Sequence, residues 1–297
     1  MSENSRIRLF HAIEGGSPFW SEELAKFGAD ELVDRLVTGF YDSKKRSAER
    51  IKDQLHTYSS EYLLDQIAKI GARFVTPDSA EWPQRLHDLV APPIGIVVKG
   101  LIPNAPSVAI VGTRNPTMYG ARVASEFSSG FADRAFVVVS GGAYGIDTHA
   151  HRGCLAAEGR TIAVVASGVD VDYPAGNSRL FAEIQESGAI ISEVMPGVRA
   201  RPERFLTRNR IIAAISLGTI VIEAAFRSGS LRTARDAAEL MRIVMAVPGP
   251  ITSPTSDGCH RLIGERCAEI VTSVSDAMEL LEPLTARNTG TLGGDDT

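Results

Sequence analysis

The sequence predicts an α/β fold in which a mainly parallel sheet, flanked by helices, follows a small helical domain. Short apolar runs recur between residues 107 and 249, as strands buried on both faces of a parallel sheet require. A helical segment follows each run, which is the alternation typical of βαβ units. The runs also end in glycine-bearing turns, so backbone N–H groups gather at the carboxyl edge of the sheet, where ligands bind in such folds.

The amino-terminal residues 1–70 are predicted to form the helical domain, because they lack convincing strands and carry apolar residues at helical spacing. The expected helices are 6–13, 22–38, 47–55 and 60–70. Two extended pieces, 72–76 and 94–98, come next, and the Pro92-Pro93 pair fixes an extended backbone before the second. We place both pieces at the edge of the sheet.

The second domain is predicted to span residues 71–284. Its strand-and-turn segments are 107–114, 135–142, 161–168, 219–223 and 243–249. Its expected helices are 119–134, 146–158, 178–186, 208–217, 231–241 and 275–281. Right-handed crossovers between parallel strands follow from this order. Residues 285–297 are rich in Gly, Thr and Asp and are predicted to be a disordered tail.

Composition excludes several classes of protein. Hydrophobic residues make up 44% of the 297, enough for a sizeable core, and the net charge of -5 argues against a generally basic surface while leaving room for a local basic site. Cys154, Cys259 and Cys267 form no CxxC pair, which predicts neither a disulfide framework nor a structural zinc site. With no apolar leader and no run of about 18 apolar residues, we expect a soluble, cytoplasmic protein without membrane contact.

A phosphate-binding turn is predicted in the segment from Ser140 to Asp147, which follows a strand and opens a helix. It is similar to the dinucleotide fingerprint, with serine in place of the first glycine. The expected binding positions are Gly141, Gly142, Tyr144, Gly145 and Asp147. No acidic residue closes the next strand, so no dinucleotide cofactor is expected. The alternative is a turn that serves only close helix–strand packing.

Arginines supply the second signal. Arg114 ends a strand and points toward the same edge, with a salt bridge to an acidic residue as the alternative to phosphate recognition. Residues 199–210 hold five arginines against one glutamate, with an aromatic residue among them. Proteins that bind single-stranded nucleic acid use cations along the phosphates and aromatic rings that stack on the bases. The alternative is a solvated basic face over an aromatic core residue. The candidate contacts here are Arg204, Phe205, Arg208, Asn209 and Arg210.

A third anion-binding turn follows Glu223, with Ser228, Gly229 and Ser230 before a helix. Glu223 could accept a hydrogen bond from a loop amide or from a sugar hydroxyl. Neither a P-loop nor a nucleophile elbow is present, and His149 and His151 are two residues apart, so they face different sides of a helix. We instead expect His151 to bond Asp147. No catalytic residue, metal site or cofactor is predicted.

Taken in order, eight motifs of the chain resemble the DNA-processing protein A (DprA/Smf) family of bacteria, over about residues 83–270 with the spacing intact. The motifs are Ser140-Gly-Gly-Ala-Tyr-Gly-Ile-Asp-x-x-Ala-His151, Gly168-Val-Asp-x-x-Tyr-Pro174, Ser192-Glu193, Phe205-x-x-Arg-Asn-Arg-Ile-Ile212, Glu223-Ala224, Ser228-Gly-Ser-Leu-x-Thr-Ala234, Val247-Pro-Gly249 and Gly258-Cys259.

The resemblance implies an extended Rossmann-like domain preceded by a SAM-like helical domain. It implies a non-enzymatic protein that binds and protects incoming single-stranded DNA, loads the RecA recombinase in natural transformation and forms a homodimer. The family's DNA pocket falls on Arg114, on the turn from Gly141 to Asp147 and on the segment from Phe205 to Arg210.

The chain departs from the family pattern in three places. Tyr144 stands where many members carry a basic residue, and Leu206-Thr207 replaces the more usual Pro-Arg. Many members carry a C-terminal winged-helix domain, and the short sequence after residue 284 leads us to expect none here. A different class of function is a phosphoribohydrolase with Glu223 near a ribose and Ser228–Ser230 on the phosphate, although its Pro-Gly-Gly-x-Gly-Thr run is missing. A nucleotide sensor without catalysis is the third possibility.

Overall fold

A computed structural model of the chain describes residues 3–41 and 47–289. Within them, nine strands form one sheet. The strands are β1 (Arg73–Val75), β2 (Ile96–Gly100), β3 (Ser107–Val111), β4 (Val137–Ser140), β5 (Thr161–Val165), β6 (Ala189–Ser192), β7 (Gly218–Val221), β8 (Ile243–Ala246) and β9 (Glu269–Ile270). The strand order is β1-β2-β6-β5-β4-β3-β7-β8-β9. Only β1–β2 and β2–β6 pair antiparallel, which confirms the α/β fold with a mainly parallel sheet.

Eleven helices accompany the sheet in the described residues. They are α1 (Glu3–Ala12), α2 (Pro18–Val37), α3 (Ala48–Thr57), α4 (Ser60–Lys69), α5 (Met118–Ala132), α6 (Ile146–Ala156), α7 (Ser178–Ser187), α8 (Pro202–Ile215), α9 (Ser230–Glu239), α10 (Asp257–Gly264) and α11 (Val274–Thr289). In this part of the chain no helix is both long and apolar enough to span a bilayer.

The order of the strands creates a topological switch point. Strands β3, β4, β5 and β6 are added one after another on one side, and α8 then carries the chain back so that β7 pairs with the other side of β3. The direction of strand addition therefore reverses between β3 and β7. The crevice outside the carboxyl ends of two such strands is where open α/β sheets bind ligands.

The sheet is covered on both faces, as its apolar strands require. Helices α8, α9 and α10 pack on one face, and α5, α6 and α11 pack on the other. Helices α1–α4 share a single apolar cluster with α7 and with residues of β2, β5 and β6. The helical region is thus fixed to the sheet, and Arg6 donates a buried hydrogen bond to the Ile94 carbonyl across this contact.

The structure differs from the sequence predictions in several elements. Strands β6 and β9 and helix α10 are absent from the predicted elements, because each is short and offers little periodicity. Helix α8 begins at Pro202 rather than at residue 208, since proline suits the first turn of a helix. Helix α11 extends to Thr289, into the segment 285–297 that is predicted from the sequence to be a disordered tail. The rest of that tail, 290–297, lies outside the described residues.

Candidate nucleic-acid interface

A pocket of about 230 Å³ opens at the switch point, outside the carboxyl ends of β3, β4 and β7. Polar and charged residues from all three strand ends and from α8 line it, together with several apolar side chains. Eight of the residues predicted from the sequence meet here: Arg114, Asp147, Phe205, Arg208, Asn209, Ser228, Gly229 and Ser230. Widely separated segments of the chain therefore converge on one site.

The turn after β4 requires glycine at three positions: Gly142 has a φ of +69°, and Gly141 and Gly145 have the closest contacts to a built Cβ. A Cβ on Gly141 would lie 1.6 Å from the Arg208 Nη1 atom, and Gly145 has a φ of +84° with the Thr113 carbonyl oxygen 2.3 Å from a built Cβ. Neither position accepts another residue without displacement. Gly142 lies between them, and its carbonyl accepts a hydrogen bond of 3.0 Å from Asn177 Nδ2.

The turn holds one of the chain's own carboxylates. Asp147 Oδ2 accepts hydrogen bonds from the backbone N–H groups of Gly141 at 3.2 Å and Ala143 at 3.3 Å. Burial raises the pKa of Asp147, and the positive charge of Arg208 opposes that rise. These two N–H groups are occupied, so the direct phosphate contact predicted for them, and for Asp147 itself, does not fit this arrangement. The turn instead leaves space for the guanidinium of Arg208, which lies against Gly141.

Arg208 places a positive charge in the wall of the pocket. Its side chain is buried, and Nη1 donates to the Val164 carbonyl at 3.2 Å. Burial lowers the pKa of Arg208 to about 10, with Asp147 opposing the decrease and Arg114 adding to it. The Nε atom is buried and has no hydrogen-bond partner among the described residues. The guanidinium is therefore cationic at neutral pH and incompletely bonded by the protein.

An aromatic and cationic surface forms the mouth of the pocket. The exposed guanidinium of Arg114 lies 5.2 Å from the ring centroid of Phe205, and the Tyr173 ring lies 5.6 Å from it on a tilted plane. Phe205 is half-buried, so the alternative that it fills the core is wrong. Arg114 makes no salt bridge with the described acidic residues, which removes the other alternative. Tyr144 is half exposed and lies against Gly176.

The opposite wall is the turn before α9. Asn209 is buried, and its Nδ2 donates to the Gly229 carbonyl at 3.3 Å, while the hydroxyls of Ser228 and Ser230 lie 2.7 Å apart. Asn209 thus orients the turn from within. Gly229 has no atom within 4 Å of a built Cβ, so the space above it is open to a ligand.

The structure does not bring Arg204 and Arg210 to this pocket. Arg204 donates to Glu14, and Arg210 donates to Glu193 and to the Ala91 carbonyl. Both residues of the Arg210–Glu193 pair are largely buried, and burial raises the pKa of Glu193 against the effect of Arg210. Arg210 is therefore a packing residue, and the prediction that it contacts DNA does not fit its position.

Two further expectations are settled by hydrogen bonds. Glu223 is buried and accepts from the Thr117 N–H at 2.9 Å and from the hydroxyls of Thr117 and Thr255, so it ties loops together. The ribose contact that a phosphoribohydrolase would need is thereby lost. His151 Nδ1 bonds Thr161 Oγ1 at 2.7 Å, and the predicted bond to Asp147 is wrong. Among the described residues no group of three or more His, Cys, Asp or Glu side chains is arranged to hold a metal ion.

Two residues next to the pocket were given no role by the sequence prediction. Tyr173 contacts Phe205, and Asn177 joins Gly142 to the Thr148 hydroxyl through one amide group. Both lie near the Tyr-Pro step that the motif comparison included without a role. That motif was the one sequence signal for these two residues. It gave them no role because only the folded chain brings it beside α8.

Sheet, switch point and pocket together define an α/β protein of the Rossmann-like class with a cationic, aromatic-lined ligand site. The family model described as DNA recombination-mediator protein A matches residues 73–282. The chain belongs to this family, as the sequence motifs predicted.

Relatives and solved structures agree with the assignment. The chain is 44% identical over 248 residues to a putative DNA processing protein DprA of Mycobacterium tuberculosis, covering 78% of this chain and 62% of the relative. It is 41% identical over 203 residues to DNA processing protein DprA of Streptococcus pneumoniae, covering 68% and 71%. The chain thus spans under two thirds of the mycobacterial relative's length.

Two solved structures are similar in fold. The X-ray structure of DNA processing protein A from Streptococcus pneumoniae matches with a TM-score of 0.81 and 32% identity, covering 94% of this chain and 98% of that one. DNA processing protein A from Helicobacter pylori, solved to describe its single-stranded DNA binding mode, matches with a TM-score of 0.64 and 28% identity, covering 71% and 96%.

Proposed function

We propose that this protein binds single-stranded DNA in the pocket between β3 and β7. The observation that carries the proposal is the Phe205 ring, half exposed between the Arg114 guanidinium and the Tyr173 ring. A ring presented beside a cation stacks on a base while the charge follows the phosphate, and such stacking is worth about 1–3 kcal/mol per base. The single-stranded DNA binding of the Helicobacter pylori relative supports the same ligand.

Each wall has a part in this binding. Arg114 and the buried Arg208 attract the phosphates, and the turn from Ser228 to Ser230 offers its paired serine hydroxyls. Little base-edge readout is expected, so the sequence preference is weak. Paired bases are not free to stack on Phe205, which favours single strands over duplexes.

A mobility-shift comparison of single- and double-stranded DNA of equal length tests the proposal. We expect retention of the single strand and a loss of about tenfold or more in the Phe205→Ala variant, in line with one lost stacking contact. Phe205→Tyr keeps the ring and serves as the control. Equal affinity for both DNA forms, or an unaffected Phe205→Ala, would refute the assignment.

We further propose that the protein acts without a catalytic step, as a homodimer that protects single strands and delivers them to RecA. The family description as a recombination mediator supports this role. Sedimentation gives the oligomeric state. Strand exchange by RecA on DNA covered with single-strand-binding protein, with and without this protein, tests loading, and no stimulation would count against it.

A further inference from the structure

A second cavity, of about 410 Å³, lies between the helical region and the sheet. Its walls come from the segments after β5 and β6, from the loop between α1 and α2, and from α3 and the first turns of α8. We name it the interdomain cavity, defined by Glu14, Gly15, Arg50, Val165, Ala166, Glu193, Val194, Arg201, Glu203, Arg204, Thr207, Arg208 and Ile211. Apart from Arg204 and Arg208, none of these residues was predicted from the sequence to contact DNA.

The chemistry of the interdomain cavity suits a nucleotide. Val165, Ala166 and Ile211 give it an apolar floor, while Arg50 and Arg201 stand exposed at its rim. Apolar surface for a base next to cations for phosphate is the combination that single-stranded nucleic acid uses.

Four arginines and three glutamates line this cavity, and two of the glutamates are ion-paired, Glu14 with Arg204 and Glu193 with Arg210. Arg204 bonds Glu14, and the pKa of Glu14 is lowered first by that bond and further by the charges of Arg204, Arg201 and Arg50. Neither Arg50 nor Arg201 has a salt-bridge partner of its own among the described residues. With the Glu14–Arg204 and Glu193–Arg210 pairs set aside, the cations of Arg50, Arg201 and Arg208 are balanced among the lining residues by the carboxylate of Glu203 alone, so the cavity favours a further anion.

The interdomain cavity continues the pocket at the switch point. Arg208 lines both, and the first turns of α8 separate them. One cavity lies over β6 and β5, the other over β4, β3 and β7, so their centres are about two and a half strand spacings, or about 12 Å, apart. At the rise of duplex DNA, about 3.4 Å per nucleotide, this is a span of about four nucleotides.

The loop that closes the interdomain cavity is packed tightly. A Cβ on Gly15 would lie 2.2 Å from the Glu193 carboxyl carbon, and one on Gly16 would lie 3.0 Å from the Thr207 methyl carbon. The helical region is thus held at a fixed place beside α8. The cavity is preformed and needs no domain movement to exist.

We propose that the interdomain cavity is a second subsite for the same DNA strand. Arg50 and Arg201 bind a phosphate there, and Glu14 occupies the anion position beside Arg204 until the strand displaces it. The helical region thereby extends the binding path beyond the Rossmann-like sheet. This proposal rests on the proposed function, since it needs the strand to enter the switch-point pocket first.

Oligothymidylates of two lengths test the proposal by calorimetry or fluorescence competition. A strand of about three nucleotides reaches only the switch-point pocket, and one of about ten reaches both. We expect Arg50→Ala to weaken binding of the long strand about fivefold and to lower its salt slope by about 0.7, the value for one lost phosphate contact. Glu14→Gln should strengthen binding of the long strand several-fold. Neither change should alter binding of the short strand.

Matched variants control for net charge. Arg122→Ala and Glu31→Gln remove exposed charges that are paired within α5 and α2, away from both cavities, and should leave both affinities unchanged. The proposal fails if Arg50→Ala and Glu14→Gln leave the long strand unaffected, or if they change both lengths equally. If Arg114→Ala weakens binding of both strands while Arg50→Ala and Glu14→Gln change neither, the proposed function stands and the helical region lies outside the binding path.

Discussion

At the scale of single residues, the glycine turn after β4 serves an arginine rather than a ligand. Asp147 takes the N–H groups of Gly141 and Ala143, and the missing side chain of Gly141 leaves room for Arg208. The cation in the pocket wall is therefore positioned by the turn that precedes α6. The sequence pattern predicts a phosphate on backbone amides, whereas in the structure these amides bond Asp147 and the turn leaves space for a buried guanidinium.

Gly141→Ala is expected to lower stability and DNA affinity together. Its Cβ would fall 1.6 Å from Arg208 Nη1, and a buried guanidinium has little room to move. Overpacking of this kind costs about 1–3 kcal/mol. Urea denaturation gives the stability and fluorescence anisotropy the affinity. An alanine variant as stable as the original chain would contradict this arrangement.

Gly229→Ala should affect binding alone. Gly229 has a φ of -61°, which any residue adopts, and the space above it is empty, so the fold tolerates a methyl group. A strand passing close to the turn would meet that methyl, and we expect a several-fold loss of affinity at unchanged stability. Gly264→Ala, also in open space, is the matched control. Equal binding by both variants would place the strand away from this wall.

Among the secondary-structure elements, α8 has faces with different contacts. Phe205 and Asn209 face the switch-point pocket, whereas Arg204 faces the helical region and Arg210 is buried against Glu193. The cluster of arginines in the sequence thus has two purposes. Helical periodicity assigns these arginines to different faces of α8 only once the start of the helix at Pro202 is known.

Arg210→Ala is expected to destabilise the fold rather than to weaken DNA binding directly. Removing one partner of a buried ion pair leaves the other uncompensated, at a cost of about 3–5 kcal/mol. Urea denaturation should show the lower free energy of unfolding. Combining Arg210→Met with Glu193→Gln should recover much of that stability. Arg204→Ala, whose partner Glu14 is half exposed, should cost less. A fully stable Arg210→Ala would refute the packing role.

The start of α11 has a pH-dependent cap. Hydrogen bonds from the N–H of Thr272 and from nearby hydroxyls lower the pKa of Asp276 from 3.8 to about 2. Because the folded pKa lies below the unfolded value, the cap stabilises the protein above pH 3.8 and loses its effect as pH falls toward 2. Thermal unfolding of Asp276→Asn should therefore differ from that of the original chain near neutral pH and converge with it on acidification. A constant difference would contradict the cap.

At the scale of the whole molecule, the sequence predicted the sheet better than the site. Buried parallel strands are recognised by their apolar runs, and the glycines and arginines at their ends lie at the edge of the sheet where the switch-point pocket opens. The roles of Arg204, Arg210 and Glu223 depended on partners more than ten residues away, namely Glu14, Glu193 and Thr117. The spacing of residues within one segment does not indicate partners that are distant in sequence. Contacts between the helical region and α8 could therefore not be predicted.

The most direct measurement is a salt titration of single-stranded DNA affinity for the original chain and for Arg114→Ala. If about four phosphates are neutralised, the logarithm of the affinity should fall with the logarithm of salt concentration at a slope of about -3. Arg114→Ala should bind about tenfold more weakly at low salt and with a slope shallower by about 0.7. Identical affinities and slopes for the two proteins would contradict binding of DNA at the switch-point pocket.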